Sequence, residues 1–206
     1  VPGVPVGRAL LNGDEVLARR IADALHALHT SGLDLGRRHD AGKELDPLVA
    51  RADGLGAACP SLDAAARRCL AFVEASRGAF DWRWQPVHRD FYHDQVLTGP
   101  DGLAVIDLDD AAMSEPAVDV ANFAAHLRLL ALQEVGDSRG LAGIRAAFVD
   151  RYLRLDPDLD RSLLRFLEGA TLLRLAAIHQ PWDRGEWLAG RLLVEAEELL
   201  LRSTEG

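Results

Sequence analysis

Lysine is almost missing from this sequence: Lys43 is the only one. Basic residues number 23 against 32 acidic ones, a formal net charge of −9. A nucleic-acid binder usually shows a basic footprint, so this balance speaks against one. It suits an acidic soluble protein and is compatible with a cationic or metal-bound ligand. Cysteine is scarce too. Cys59 and Cys69 form no CxxC pair. That excludes a disulfide scaffold and fits a reduced, cytoplasmic setting. No apolar run reaches the roughly 18 residues a membrane span needs, and no signal peptide is visible. There is no internal repeat, low-complexity tract or obvious interdomain linker. The chain begins VPGVPVG without Met, as though sequence lay upstream.

What is present argues for a folded domain. At 49% hydrophobic over 206 residues, a sizeable core is available, and the composition argues against disorder. The length suits one large domain or two small ones. Residues 14–31 repeat apolar positions at Val16, Leu17, Ile21, Leu25 and Leu28. This spacing predicts a helix, with a start at Asn12 to Asp14 and a stop at Gly32. Residues 33–60 read as loop with one short helix over 44–53. Ser61 stands as N-cap of a helix over 61–77. QPVH, QVLTG and LAVIDL then read as short β runs. TGPDG between the last two predicts a hairpin. Helical periodicity returns over 117–133, 138–154, 159–179 and 185–202. The fold class expected is α+β and predominantly α, with a small β patch set among helices.

That patch holds VHRDFYHDQVL, residues 87–97, in which two histidines and two aspartates crowd between apolar ends. Three readings compete. His88, Asp90, His93 and Asp94 could ligate a transition metal, although such ligands are usually fixed on helices or set loops. The stretch could be a polar surface loop without chemistry. Or it could be a phosphoryl-transfer loop. Asp107 closes AVID seventeen residues after Asp90, and Asp109 and Asp110 follow. A hairpin brings its two ends together, so Asp90 and Asp107 could face one site. Phosphoryl transfer needs one carboxylate at the attacking hydroxyl and oxygen ligands for Mg²⁺. Asp90, Gln95, Asp107 and Asp109 all offer oxygen.

The order H-x-D-x-x-x-x-amide, hairpin, I-D resembles the catalytic and metal-binding loops of kinase-like phosphotransferases. It is closest to the aminoglycoside phosphotransferase and choline kinase family. HRDFYHDQVL, VIDLDDA and EPAVDVANFAAHL carry the resemblance, with ALHALHTSG as the preceding helix. It spans roughly residues 14–130. It implies a protein-kinase-like C-terminal lobe and ATP- and Mg²⁺-dependent transfer to a hydroxyl of a small acceptor. Asp90 would be the catalytic base. Asp107 would be the main Mg²⁺ ligand and Asp109 a further one. Gln95 stands where the family usually has Asn as second ligand, and its carbonyl reaches one methylene further. His88 would shape the loop. Arg89 replaces the Gly common in this group. Asp119 would brace the loop through hydrogen bonds. Read without the resemblance, Asp119 caps a helix, Asp109 and Asp110 are turn carboxylates, and His26 and His29 are ordinary helix-surface or packing histidines. Trp82, Trp84, Trp182 and Trp187 read as core or rim aromatics.

The resemblance also implies something missing. Its nucleotide lobe has a phosphate-covering loop and a lysine paired with a helical Glu. Lys43 does not follow a β run of V-A-I-K type, and no glycine-rich strand-turn-strand precedes residue 14. The expectation is that residues 1–206 form the C-terminal lobe alone and bind ATP weakly by themselves. The net charge mildly favours a cationic acceptor: an aminoglycoside, amino sugar or choline-like alcohol. A sugar is the neutral option. Two rivals stand beside the kinase reading. One is an inert pseudokinase used as a binding module, which Gln95 favours and two buried carboxylates would oppose. The other is a metal-dependent phosphohydrolase built on His88, His93 and Asp94. Donor nucleotide and oligomeric state are not written in any motif.

Overall fold

The computed structural model describes residues 3–203. A two-residue strand β1 (Val4–Pro5) and a short helix α1 (Gly7–Leu11) open it, neither of them expected from the sequence. Helix α2 (Glu15–His29) starts where Asp14 accepts a hydrogen bond from the Leu17 amide at 2.8 Å. Gly32, at φ 72°, follows its end. The stretch expected as loop with one helix instead forms two, α3 (Ala41–Leu45) and α4 (Pro47–Ala58). Asp40 caps the first by accepting from the Lys43 amide, and Pro47 occupies the first turn of the second, where no N–H is needed. Ser61 does not cap α5 (Asp63–Ser76); it lies in a single 3₁₀ turn and donates to Glu186 at 2.7 Å.

Strand β2 (Gln85–Val87) precedes the hairpin of β3 (Val96–Gly99) and β4 (Gly102–Val105). The hairpin turns at Pro100-Asp101, with Gly102 at φ 122°. β1 lies on the other edge of β3, giving the order β1-β3-β4. β5 (Ala112–Ser114), which the sequence pattern does not announce, pairs antiparallel with β2, so that Val87 faces Ala112. Four helices follow: α6 (Ala117–Glu134), α7 (Ala142–Leu155), α8 (Arg161–His179) and α9 (Gly185–Ser203).

The chain divides into two compact units. The first runs to Arg38 and resumes over Arg83–Leu159; it contains both sheets, α1, α2, α6 and α7. Its centre is α6, buried on nearly every face from Ala117 to Leu132. α2 packs on α7, with His29 and His26 against Tyr152 and Asp23 paired with Arg151, and it buries Leu17, Ile21, Leu25 and His29 along one i, i+4 seam. Val16, expected inside, is 64% exposed. The second unit joins His39–Trp82 to the residues from Asp160 on. There α8 lies along α9, and α4 and α5 pack against that pair. Gly169 is tight: an added Cβ would come within 2.7 Å of Leu200. Both cysteines are buried free thiols of this unit, and burial pushes the Cys69 thiol up to about 12. No helix among the described residues is long and apolar enough to cross a membrane.

Candidate active site

β2 ends at Val87, and the next three residues leave the sheet. The turn needs a backbone that L-residues avoid: Arg89 sits at φ 75°. The loop is held there from α6. Asp119, fully buried in the helix's first turn, accepts the His88 amide on Oδ2 and the Arg89 amide on Oδ1, each at 2.7 Å. One turn on, Asn122 donates to the Phe91 carbonyl at 3.1 Å. Two polar residues at i, i+3 in the apolar first turns of α6 thus grip residues 88–91. Asn122 escaped the sequence reading, although it lies inside the quoted EPAVDVANFAAHL segment. Glu115, at the head of that segment, is buried as well. It accepts from the Ala117 amide at the start of α6 and from Arg83.

His88 lies inside the loop. Its Nε2 faces the Ile106 carbonyl at 2.8 Å, and its Nδ1 faces the Asp90 amide at 3.3 Å. A carbonyl only accepts and an amide only donates, so the ring carries its proton on Nε2. His88 thereby ties the loop to the far strand of the hairpin and orients Asp90. With both nitrogens engaged, it has none to offer a metal. Among the described residues no three of His, Cys, Asp or Glu gather as metal ligands. The phosphohydrolase arrangement of His88, His93 and Asp94 is therefore not formed. His93 packs its ring beside Gly7, where a Cβ would approach to 2.8 Å, and Asp94 is exposed.

The hairpin brings the second group of residues in. The Ile106 amide donates to the Gln95 carbonyl at 3.0 Å, so the ladder continues one pair below Val96–Val105. The β run expected as LAVIDL stops at Val105, and Asp107 turns away at φ 60°. Asp tolerates this left-handed conformation better than most residues. Gln95, buried, donates from Nε2 to Asp107 Oδ2 at 3.3 Å. Asp90 is half-buried and Asp107 exposed, which corrects the premise that both are buried charges. Tyr92 reports on the group as a whole. Burial pushes its phenol up, and the carboxylates of Asp90, Asp94 and Asp107 push the same way. Its ring stacks on His126 of α6 at 4.5 Å.

Asp109 and Asp110 are exposed. Their backbone is held: Arg37 donates to the carbonyls of Asp109 and Ala111, and Arg89 to that of Asp110. The Asp110 carboxylate lies 3.6 Å from both guanidinium groups. Asp110 is thus a link between two arginines, and Arg37 had no sequence signal beyond its charge. Trp182 is 71% exposed, and Trp187 carries the Arg184 guanidinium over its ring at 4.6 Å.

The model of the phosphotransferase enzyme family (APH) matches residues 1–167. The chain belongs to that family. Solved kinases share the fold. A glucosamine kinase superposes with a TM-score of 0.63 at 22% identity, covering 96% of this chain and 55% of its own. The same enzyme with glucosamine, ADP and inorganic phosphate gives 0.62 at 22%, covering 96% and 54%. The choline kinase LicA from Streptococcus pneumoniae gives 0.57 at 15%, covering 91% and 64%. No protein of curated function matches the sequence significantly. The chain spans about half the length of the glucosamine kinase and under two thirds of LicA.

The donors fit a hard cation. An octahedral Mg²⁺ with bonds of about 2.1 Å sets neighbouring ligand atoms about 3 Å apart. Gln95 and Asp107 present terminal atoms 3.3 Å apart. Turning the Gln95 amide by half a rotation exchanges its N–H for its carbonyl oxygen at the same point.

Proposed function

We propose that this chain is the C-terminal lobe of a small-molecule kinase that transfers the γ-phosphate of ATP to a hydroxyl. The observation that carries the reading is the paired bracing of the site. Asp119 holds the loop bearing Asp90, and the hairpin register sets Gln95 against Asp107. Asp90 accepts the proton of the acceptor hydroxyl as the hydroxyl oxygen attacks the γ-phosphorus and the bond to the β–γ bridging oxygen breaks, releasing ADP. Asp107 and Gln95 would hold Mg²⁺, with Asp109 next in line on the same turn. The cation, when bound, neutralises charge on the phosphate oxygens. His88, Arg89 and Asp119 keep the loop in place. The donor assignment is supported by the ADP and AMP complexes of the neighbours, and a reduced, cytoplasmic setting by the two free buried thiols.

For the acceptor we favour an amino sugar or related cationic alcohol over a neutral sugar. The neighbours are a glucosamine kinase bound to glucosamine and a choline kinase, and the carboxylates of Asp90, Asp94 and Asp107 all act on Tyr92. The test uses the whole reading frame, including whatever lies upstream of Val1. Mg²⁺-dependent ATP consumption is followed against amino sugars, aminoglycosides, choline-type alcohols and neutral sugars. Asp90→Asn is expected to lower kcat by about 10²–10⁴-fold. Tight Mg-ATP binding with no turnover on any acceptor would instead favour the inert binding module. No nucleotide binding at all would sink the kinase reading.

A further inference from the structure

Asp119 is itself held. Its Oδ2, which takes the His88 amide, also faces Nε2 of His29 at 3.0 Å. The other ring nitrogen of His29, Nδ1, lies 2.5 Å from the Tyr152 hydroxyl. The three side chains come from α2, α6 and α7, and all are buried. Proton positions follow from the donors. Burial, with the carboxylates of Asp156 and Asp119 nearby, pushes the Tyr152 phenol up, so it keeps its proton. The Asp119 carboxylate can only accept, so Nε2 of His29 carries the ring proton, and Nδ1 accepts the Tyr152 O–H. An imidazole that accepts at Nδ1 carries its proton on Nε2 and aims it at Asp119. Oδ2 of Asp119 thus takes two donors, the His88 amide and His29, while Oδ1 takes the Arg89 amide, and His29 adds a side-chain hold on the carboxylate that grips the loop. That matters because a non-glycine residue at φ 75° holds its conformation only when its surroundings over-determine it.

We infer that His29 and Tyr152 are positioning residues for phosphoryl transfer: the relay Tyr152–His29–Asp119 fixes the loop at residues 88–90 and so sets the direction of Asp90. This rests on Asp90 being the catalytic base. Packing alone would need only the volume of the two rings. The relay needs the O–H and the N–H, so near-isosteric variants separate the two.

The experiment compares His29→Leu, His29→Gln, Tyr152→Phe and Asp90→Asn in the full-length enzyme. His29→Leu is expected to lower kcat about 10–100-fold, with both KM values within about twofold. His29→Gln, whose amide N–H can still reach Asp119, should recover several-fold over Leu. Tyr152→Phe should lose roughly threefold to tenfold. Wild-type turnover in folded His29→Leu and Tyr152→Phe, with Asp90→Asn inactive, would overturn the relay and leave the kinase reading standing. Wild-type turnover in Asp90→Asn would remove the base assignment and the relay with it. Should a variant not fold, ¹⁵N-histidine spectra of the unmutated chain decide: an Nε2–H tautomer for His29 supports the relay, and an Nδ1–H tautomer overturns it.

Discussion

Arg89 and Asp107 adopt a backbone conformation that costs an L-residue about 1–2 kcal/mol, and they are the residues on which the proposed site turns. A glycine at position 89 would meet no such cost, which accounts for the preference at the matching family position. Arg89 adds something a glycine cannot: a guanidinium bond to the Asp110 carbonyl. The two effects can be separated. Arg89→Ala and Arg89→Gly both remove the guanidinium, but only Gly relieves the backbone. Gly should be the more stable of the two by about 1 kcal/mol in urea denaturation. Equal midpoints would show that the loop relaxes on truncation. The positive φ at these positions was only faintly readable: Asp merely tolerates the conformation, and Arg itself carries no mark of it. His29, read as a surface or packing histidine, is a packing one, and the sequence pattern could have decided between the two. His29 continues the Leu17, Ile21, Leu25 seam by one step of four, and a histidine on that seam points inward.

At the scale of elements, α6 does two jobs. Its apolar faces fill the first unit, and its first two turns hold the loop at residues 88–91. Asp119→Ala leaves the His88 and Arg89 amides without an acceptor in a buried place. At about 1–3 kcal/mol for each unsatisfied donor, the loss should be about 2–6 kcal/mol by denaturant titration. Asp119→Asn keeps one oxygen acceptor and should lose clearly less. The hairpin and the long helices were legible from turn residues and periodicity. β5 was not, because three residues beside a polar turn carry no alternation. Its strand character comes from its pairing with β2. The α3–α4 stretch was misread for a similar reason: Gly and Asp interrupt the pattern, and its caps at Asp40 and Pro47 act over single turns.

For the molecule as a whole, the ionisable groups predict an acid-sensitive fold. Burial lowers the pKa of His93 and of His179 from the ordinary histidine value. The unfolded chain therefore takes up protons near pH 6.5 at these positions while the folded chain still resists. Their contribution is complete above that pH and is lost as pH falls through the folded values. The melting temperature should be flat between about pH 7 and 8 and should fall below about 6.5. His179→Gln should flatten part of that fall, and an unchanged slope in the variant would contradict the assignment.

The sequence by itself determined the helical class, the hairpin, the family and the set of chemical groups offered to a site. Those follow from local periodicity, turn chemistry and the order of polar residues along the chain. Only the tertiary structure decided which groups meet. It placed Asp119 beneath the loop, set Gln95 against Asp107, engaged both nitrogens of His88, and joined His29 to Tyr152 across 123 residues of chain. Such pairings depend on helix packing and strand register. Both are set by burial over the whole first unit, and no short stretch of sequence contains them.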